Sequence, residues 1–379
     1  MNIGIVCYPT FGGSGVVATE LGKALAAKGH QIHFISYQQP VRLDSFSENI
    51  FYHEVSVSDY PLFEYPPYEL VLASKLVDVV KFEQLDILHV HYAIPHASAA
   101  YMAQQILKDE GIEIPFITTL HGTDITLVGK DNSFEPVITF AINHSTAVTT
   151  VSESLKKDTF EHFKVNREIE VIPNFVCIEG CDHPEVDLEL RASMAPNGEH
   201  ILAHVSNFRK VKRVKDVVKV FAKIRKKMPV KLLLIGDGPD RYMAEAFCRD
   251  NGISDDLKVL GKVKDTERIL SIADLFLLPS ESESFGLAAL EAMAAGVPVI
   301  SSNTGGIPEV NKHGFSGFLS NVGDVNDMAK NAFELLSDAK KLEQFKLQAF
   351  GQAKKFDILN ILPKYEQLYK KVLSSNKIK

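Results

Sequence analysis

The sequence predicts an α/β protein of two domains, each built on a parallel β-sheet, with the two sheets facing a central cleft. The first observation is length, because 379 residues exceed what a single hydrophobic core usually holds. The second is an alternation of short apolar runs with helical patterns that occurs in each half of the chain. The third is a glycine cluster at residues 12–15, directly after the first apolar run.

The first half, residues 1–172, is predicted to form one Rossmann-like domain. Each apolar run is followed by a helical pattern, and this alternation builds a parallel sheet. The predicted strands are residues 2–8, 31–37, 87–91, 115–120 and 147–151, and the predicted helices are residues 16–28, 67–82 and 97–110.

The second half, residues 173–357, repeats this organisation after an irregular linker at 174–200. A closing segment, residues 358–379, contains an amphipathic helix at 358–373 that is predicted to pack back onto the first domain. The predicted strands are residues 201–206, 231–235, 257–260, 275–279 and 297–301, and the predicted helices are residues 215–227 and 286–295.

Composition excludes several functional classes. A hydrophobic fraction of 45% and a charged fraction of 23% are ordinary for a globular protein. A net charge of -7 gives no general attraction to nucleic acid or anionic membrane, and no apolar run is long enough to span a bilayer. Four cysteines without a signal segment predict reduced thiols and a cytoplasmic protein. Whether the chain forms a homo-oligomer is left open.

The glycine cluster at residues 12–15 predicts an anion site at the start of the first helix. Gly13, Gly15 and Ala18 also fit the dinucleotide pattern of nicotinamide-dependent oxidoreductases. That alternative requires an acidic residue at the end of the second strand, and residues 35–39 contain none. A turn that serves only helix packing is the other alternative.

A basic segment follows the first strand of the second half. Such a segment suits a diphosphate leaving group, whose negative charge grows as the bond breaks. A solvated basic helix start is the alternative reading. The basic residues are Arg209, Lys210, Lys212, Arg213 and Lys215.

Glu283 and Glu291 lie on either side of a predicted helix start at Phe285 and Gly286. Carboxylates accept hydrogen bonds from sugar and ribose hydroxyls, and the backbone amides from Phe285 to Leu287 can hold phosphate oxygens. Either glutamate taken alone is more often a surface charge.

At these residues the sequence resembles family 4 of the retaining glycosyltransferases, which have the GT-B fold. The E-x7-E pattern of that family falls on Glu283 and Glu291. Gly-Val-Pro-Val-Ile at 296–300, Gly-Gly-Ile-Pro-Glu at 305–309 and Gly-Phe-Ser-Gly at 314–317 are also similar to its C-terminal domain. The resemblance covers nearly the whole chain.

A narrower resemblance, to members that glycosylate malate, rests on residues 7–9, 12–15, 86–96, 120–126 and 206–213. It implies a hexosyltransferase that moves N-acetylglucosamine from UDP-N-acetylglucosamine to the hydroxyl of L-malate. The products are the α-linked glycoside and UDP, in the first step of bacillithiol biosynthesis. A family member with another sugar or another small acceptor is the alternative.

The resemblance also implies site residues. The catalytic set is His121, Glu283, Arg209 and Lys212. The donor-binding set is Gly13, Gly15, Asn207, Arg209, Lys212, Val263, Glu283, Phe285, Gly286, Leu287 and Glu291, with Glu291 on the ribose. The acceptor-binding set is Ser14, Gly15, Tyr92, Thr119, Asn207 and Arg209.

No metal or other cofactor is predicted. The chain contains no D-x-D sequence, which many other glycosyltransferases use to hold a divalent ion on the diphosphate. Two groups with loose metal-ligand spacing are instead expected to be hydrogen-bonded or structural. They are His89, His91 and His96, and Cys177, Cys181 and His183.

Two further function classes are weaker. A lipid acceptor is disfavoured because no basic amphipathic surface helix is evident. A non-catalytic sugar-nucleotide module is disfavoured because the residues expected to contact the diphosphate and the sugar are all present, namely Glu283, Glu291, Arg209 and Lys212. The resemblance implies a front-face mechanism, in which the departing phosphate oxygen takes the proton of the acceptor hydroxyl.

Overall fold

A computed structural model describes residues 1–10, 12–43, 47–57, 65, 67–127, 131, 133–178 and 185–376. The chain forms two compact units. One consists of Met1–Asn174 together with Ile358–Lys379, and the other of Phe175–Asp357. This division after Asn174 lies two residues beyond the boundary predicted after residue 172.

The described residues form α/β units with strands and helices in alternation. The strands are β1 Asn2–Val6, β2 Gln31–Ser36, β3 Ile50–Glu54, β4 Ile87–His91, β5 Phe116–Leu120, β6 Ala147–Thr150, β7 Ile169–Val171, β8 His200–Val205, β9 Val230–Ile235, β10 Leu257–Gly261, β11 Leu275–Leu278, β12 Val299–Ser302 and β13 Gly317–Ser320. The helices are α1 Gly13–Ala27, α2 Tyr68–Glu83, α3 Ser98–Asp109, α4 Glu135–His144, α5 Glu153–His162, α6 Leu188–Met194, α7 Val214–Arg225, α8 Arg241–Asp250, α9 Thr266–Ser271, α10 Leu287–Ala294, α11 Ile307–Val310, α12 Val325–Leu336, α13 Ala339–Ala353 and α14 Ile358–Asn376.

The sheet of the first unit has seven parallel strands in the order β3-β2-β1-β4-β5-β6-β7. Strand β4 shows how both faces are covered. Leu88 and Val90 pack with side chains of α2 and α3. His89 points to the opposite face, where its Nδ1 lies 2.7 Å from the hydroxyl of Tyr369 on α14. The closing helix is therefore part of this unit's core.

The sheet of the second unit has six parallel strands in the order β10-β9-β8-β11-β12-β13. Helix α7 covers one face of this sheet, because its apolar residues recur at helical spacing. Val217 and Phe221 pack there against Leu202 of β8 and Leu232 of β9. In both sheets the order of strands reverses at a central pair, β1 with β4 and β8 with β11.

The predicted linker at 174–200 is only partly irregular, since it contains helix α6. Asp187 caps this helix by accepting a hydrogen bond from the backbone N–H of Leu190 at 2.8 Å. The sequence did not indicate the helix because none of its residues is buried, which leaves no apolar periodicity. Residues 179–184 of this segment lie outside the described residues.

Asp274, directly before β11, is a buried carboxylate with several partners. It accepts a hydrogen bond from the backbone N–H of Ile201 at 2.9 Å. Three side-chain nitrogens surround it, from Arg191 at 2.9 Å, Lys346 at 3.3 Å and His200 at 3.4 Å. Burial alone would raise the pKa of Asp274, but the hydrogen bond from His200 and the charges of Arg191 and Lys346 hold it well below its ordinary value.

We expect Asp274→Asn to lower the free energy of unfolding by about 3 kcal/mol near neutral pH, because the partly buried cations of Arg191 and Lys346 lose their counter-charge. A depressed folded-state pKa stabilises the fold above the unfolded-state value of about 3.9, and that contribution disappears as the pH falls. Denaturant titrations at neutral and acidic pH should therefore show the two proteins converging in acid. Asp250→Asn, at an exposed position, is the control. An equal gap at both pH values would contradict this account.

Candidate active site

Most of the predicted site residues lie at or just after the carboxyl ends of the central strands of each sheet. In open parallel sheets, ligands bind beyond the carboxyl ends of the strands where the strand order reverses. In the first unit the residues are Gly13, Ser14 and Gly15 after β1, Tyr92 after β4, Thr119 within β5 and His121 after β5. In the second unit they are Asn207, Arg209 and Lys212 after β8, Val263 after β10, and Glu283, Phe285, Gly286, Leu287 and Glu291 after β11.

The glycine loop opens helix α1 and suits an anion. Gly12 is the N-cap, and no side chain caps the helix, so its first-turn N–H groups can serve a ligand. Gly15 also has a packing reason to be glycine. A Cβ there would lie 2.5 Å from the carbonyl oxygen of Tyr8 and 2.7 Å from that of Thr10. Packing therefore accounts for Gly15, and the anion-binding role of this loop stays a prediction.

Tyr92 and Ser14, two predicted acceptor contacts, are in direct contact. The Tyr92 hydroxyl donates a hydrogen bond to Ser14 Oγ at 2.7 Å. Burial raises the pKa of Tyr92 to about 12, so the phenol stays protonated near neutral pH. The ring of Tyr8 packs edge-on against Tyr92, with centroids 5.4 Å apart. The hydrogen bond between Tyr92 and Ser14 therefore fixes two hydroxyl groups at the glycine loop.

His121 is almost fully buried and uncharged. Its Nε2 lies 2.7 Å from Nδ1 of His91. Burial, reinforced by the neighbouring His89 and His96, lowers the pKa of His121 to about 3. At neutral pH this side chain is therefore a neutral imidazole with one ring nitrogen already engaged.

Asp124 is a site residue that the sequence reasoning did not select, although it lies in the quoted motif at 120–126. Its carboxylate accepts hydrogen bonds from the backbone N–H groups of Ala93 at 3.0 Å and Gly122 at 3.1 Å. Burial raises its pKa to about 6, and these hydrogen bonds offset part of that rise. Asp124 thus ties the segment after β4 to the segment after β5.

The side chain of Thr119 does not lie with the other predicted acceptor contacts, Ser14 and Tyr92. Its hydroxyl is fully buried and lies 2.7 Å from both His89 Nε2 and Thr149 Oγ1. Only its backbone reaches the site, since its carbonyl accepts a hydrogen bond from the N–H of Tyr92 at 2.9 Å. An acceptor contact by the Thr119 hydroxyl stays a prediction, and it would require this hydroxyl to exchange partners.

One group of side chains in the described part of the chain has the proximity of metal ligands. The ligand atoms of His33, His53 and Glu83 lie within 4.8 Å of one another. His33 Nδ1 and His53 Nε2 are 2.9 Å apart, a hydrogen-bonding distance. The group lies on β2, β3 and the end of α2, apart from the loops after β1 and β4. For the predicted group of Cys177, Cys181 and His183, the positions of Cys181 and His183 lie outside the described residues.

In the second unit, Lys212 and Glu283 form an ion pair. Lys212 Nζ lies 2.6 Å from Glu283 Oε1, which also accepts a hydrogen bond from Ser280 Oγ at 2.9 Å. Arg209 is exposed, and no carboxylate of the described residues lies within salt-bridge distance of it. The guanidinium of Arg209 is therefore available to an anionic ligand. The ammonium group of Lys212 would have to bind such a ligand while it stays paired with Glu283, or else leave that ion pair.

His204, at the end of β8, is a second residue that the sequence reasoning missed. Its Nδ1 donates to the carbonyl of Leu277 at 2.8 Å, so its Nε2 accepts from the Ser206 hydroxyl at 2.8 Å. Ser206 Oγ in turn accepts from the N–H of Phe208 at 3.2 Å. Phe208 has φ of 42°, unusual for a residue other than glycine. This chain of hydrogen bonds fixes the turn that presents Asn207 and Arg209.

Helix α10 begins at the Phe285-Gly286 turn. Gly286 is its N-cap with φ of 94°, and no side chain caps the helix, so its first N–H groups can serve phosphate oxygens. The Phe285 ring is buried against Phe356, which leaves only its backbone for a ligand. Glu291 is half-buried in the second turn of the helix, and Val263 is half-buried two residues after β10.

Comparison with known proteins gives the class of this protein. The description "Glycosyltransferase Family 4" matches residues 11–179, and "Glycosyl transferases group 1" matches residues 186–352. The chain belongs to the family 4 glycosyltransferases. Over 378 residues it is 47% identical to N-acetyl-alpha-D-glucosaminyl L-malate synthase from Bacillus anthracis. That match covers 100% of this chain and 98% of the relative.

Solved structures share the fold at low sequence identity. The Anabaena protein HepE in complex with UDP and glucose has a TM-score of 0.83 at 18% identity, over 98% of this chain and 100% of its own. Sucrose-phosphate synthase from Thermosynechococcus elongatus has a TM-score of 0.78 at 20% identity, over 99% and 100%. The predicted fold class, GT-B, is confirmed. Within the described ranges, no helix has the length and apolarity to cross a membrane.

Proposed function

We propose that this glycosyltransferase moves N-acetylglucosamine from UDP-N-acetylglucosamine to the hydroxyl of L-malate, as the first step of bacillithiol biosynthesis. The observation that carries the proposal is the 47% identity to the Bacillus anthracis synthase over the full length of both chains. The motifs of the glycine loop and of the segments after β4, β5 and β8 support it. The product is N-acetyl-α-D-glucosaminyl L-malate, and UDP is released.

The second unit would bind the donor. Arg209, Lys212 and the uncapped start of α10 supply positive potential for the diphosphate. Glu283 and Glu291 would accept hydrogen bonds from the sugar and ribose hydroxyls. Because these groups can neutralise the leaving group, and the chain contains no D-x-D sequence, we propose that transfer needs no divalent cation.

The first unit would bind malate. The amides at the start of α1 suit one carboxylate of a dianion, and Ser14 with Tyr92 supplies hydroxyls beside it. We place the reaction in the cytoplasm, where UDP-sugars are made. The buried thiols of Cys7 and Cys248, which form no disulfide, support a reducing compartment.

The anomeric configuration would be retained by a front-face displacement. The bond between the anomeric carbon and the diphosphate oxygen breaks, and the malate hydroxyl oxygen bonds to that carbon on the same face. The hydroxyl proton passes to the departing phosphate oxygen. Trapping of a covalent glycosyl-enzyme would contradict this route.

A different small acceptor is the second candidate. Over 143 residues, 37% of this chain, the sequence is 33% identical to 2-deoxystreptamine N-acetyl-D-glucosaminyltransferase from Niallia circulans. By its name, that relative transfers the same sugar, N-acetylglucosamine, to a different acceptor, 2-deoxystreptamine.

The test is UDP release from UDP-N-acetylglucosamine with L-malate, without it, and with succinate, which has the same two carboxylates but no hydroxyl. We expect strong dependence on malate, no stimulation by succinate, and no loss on addition of EDTA. Indifference to malate would refute the acceptor, and inactivation by EDTA would refute the metal-independent mechanism.

Tyr92→Phe is expected to raise the KM for malate about tenfold, the equivalent of one hydrogen bond, with the KM for the donor nearly unchanged. The substitution removes the donor that fixes Ser14. Tyr52→Phe is a matched control, because its hydroxyl bonds the carbonyl of Ser36 at 3.3 Å on the edge strand β3. Equal effects of the two substitutions in initial-rate kinetics would contradict a role in acceptor binding.

A further inference from the structure

His91 and His121 form a buried hydrogen-bonded pair, and of the two ways to place the shared proton only one leaves no buried N–H without an acceptor among the described residues. His91 Nδ1 and His121 Nε2 are 2.7 Å apart, so one of them carries the proton and the other accepts it. Burial lowers the pKa of both residues far below neutrality, so both rings are neutral. The only question is which ring donates.

The other nitrogen of His91 decides the question. His91 Nε2 is buried and has no hydrogen-bond partner among the described residues. If His121 were the donor, His91 would carry its own proton on Nε2, as an N–H buried without an acceptor. If His91 is the donor, Nε2 is only a bare lone pair. Orphaned buried N–H groups are the rarer of the two in proteins.

His96 shows the same arrangement unambiguously. Its Nδ1 hydrogen-bonds the carbonyl oxygen of His91, and a carbonyl can only accept, so the proton is on Nδ1. Its Nε2 is then a bare nitrogen, and it too is buried without a partner among the described residues. The interior of this unit therefore already holds one imidazole in the form inferred for His91.

The ring of His91 is also held in place. It packs against the ring of His89, with centroids 4.6 Å apart, and it meets His121 edge to edge through the hydrogen bond, with centroids 5.0 Å apart. His89 is fixed at both nitrogens, by Tyr369 on α14 and by Thr119 on β5, each at 2.7 Å. Rotation of the His91 ring would break both its contact with His89 and its hydrogen bond to His121.

We propose that His91 is a positioning residue that fixes the tautomer of His121. With Nε2 accepting from His91, His121 carries its proton on Nδ1 and presents an N–H to the substrate. His121 then acts as a hydrogen-bond donor to a substrate oxygen, and it does not act as a general base. This role in turnover rests on the proposed function, whereas the tautomer itself does not.

The direct test is nitrogen NMR of protein labelled at the histidine ring nitrogens, recorded without substrate. We expect His121 to show a protonated Nδ1 and a bare Nε2 in the wild type. His91→Asn places an amide N–H where Nδ1 was and should keep this pattern, whereas His91→Leu should lose it. A wild-type spectrum with a bare Nδ1 on His121 would overturn the proposal.

Kinetics supply the second readout. We expect His91→Leu to lower kcat by about 10- to 100-fold, the range typical of losing a partner that orients a functional histidine, and His91→Asn to keep most of the turnover. Equal losses in the two variants, at equal thermal stability, would also overturn the proposal. If His91→Leu does not fold, the spectra of the wild type and His91→Asn still decide. Failure of malate dependence with the expected spectra would refute only the proposed acceptor.

Discussion

Arg209→Ala is expected to lower kcat by about 100- to 1000-fold while the KM for UDP-N-acetylglucosamine changes little. Arg209 is exposed at the turn after β8, and no carboxylate within the described ranges pairs with it. Negative charge accumulates on the diphosphate only as the glycosidic bond breaks, so a cation there stabilises the transition state more than the bound substrate. Steady-state kinetics with saturating malate measure the effect.

Two comparison variants sharpen this result. Lys210→Ala removes the adjacent exposed cation and should leave kcat within about twofold, because surface charges away from the reacting atoms act weakly. Glu291→Ala should chiefly raise the KM for the donor, because a ribose contact is made equally in the ground state and the transition state. Equal loss of donor affinity in the Arg209 and Glu291 variants, with kcat untouched, would refute this division of roles.

Gly305→Ala is expected to lower the free energy of unfolding by about 3 kcal/mol and to weaken UDP binding strongly. Gly305 has φ of 55°, and a Cβ there would lie 1.9 Å from the carbonyl oxygen of Glu283. The neighbouring Gly306 N–H donates to that same oxygen at 2.9 Å. Because the obstacle is backbone, the loop that carries Glu283 must move. Denaturant titration and calorimetry with UDP measure the two effects.

Gly314→Ala is the matched control for this prediction. Gly314 has φ of 72° but nothing lies within 4 Å of the position of a Cβ. It should therefore show only the cost of a left-handed backbone, about 1 kcal/mol, with UDP binding retained. Equal destabilisation by the two substitutions would mean that the contact with Glu283 has no energetic importance.

The parts of the fold that the sequence predicted are those with strong burial. Strands such as β1, β4 and β5 are apolar runs buried on both faces, and the sequence indicated each of them. Three strands were not predicted. Strand β3 is an edge strand with exposed and polar positions, β7 has only three residues, and β13 has four residues of which two are only partly buried. Pattern reading needs several consecutive buried positions, and these elements lack them.

The sequence was sufficient to predict which loops carry the candidate site residues, but it was not sufficient to predict which side chains contact each other there. Loop residues such as Tyr92, Arg209 and Glu283 lie after the strands that the motifs indicated. The ion pair of Glu283 with Lys212 and the burial of the Thr119 hydroxyl were not predictable, because both depend on tertiary packing. Thr119 faces its partners only through the register of β4, β5 and β6, which a linear pattern does not contain.

Helix α14 has a consequence for how the chain is synthesised. Its Tyr369 hydroxyl contacts His89, and it follows the entire second unit along the chain. A nascent polypeptide therefore leaves the part of its amino-terminal sheet around His89 without its final cover until the ribosome has made the entire second unit. During that interval this part of the sheet depends on transient cover, and chaperones that shield apolar surface would act there.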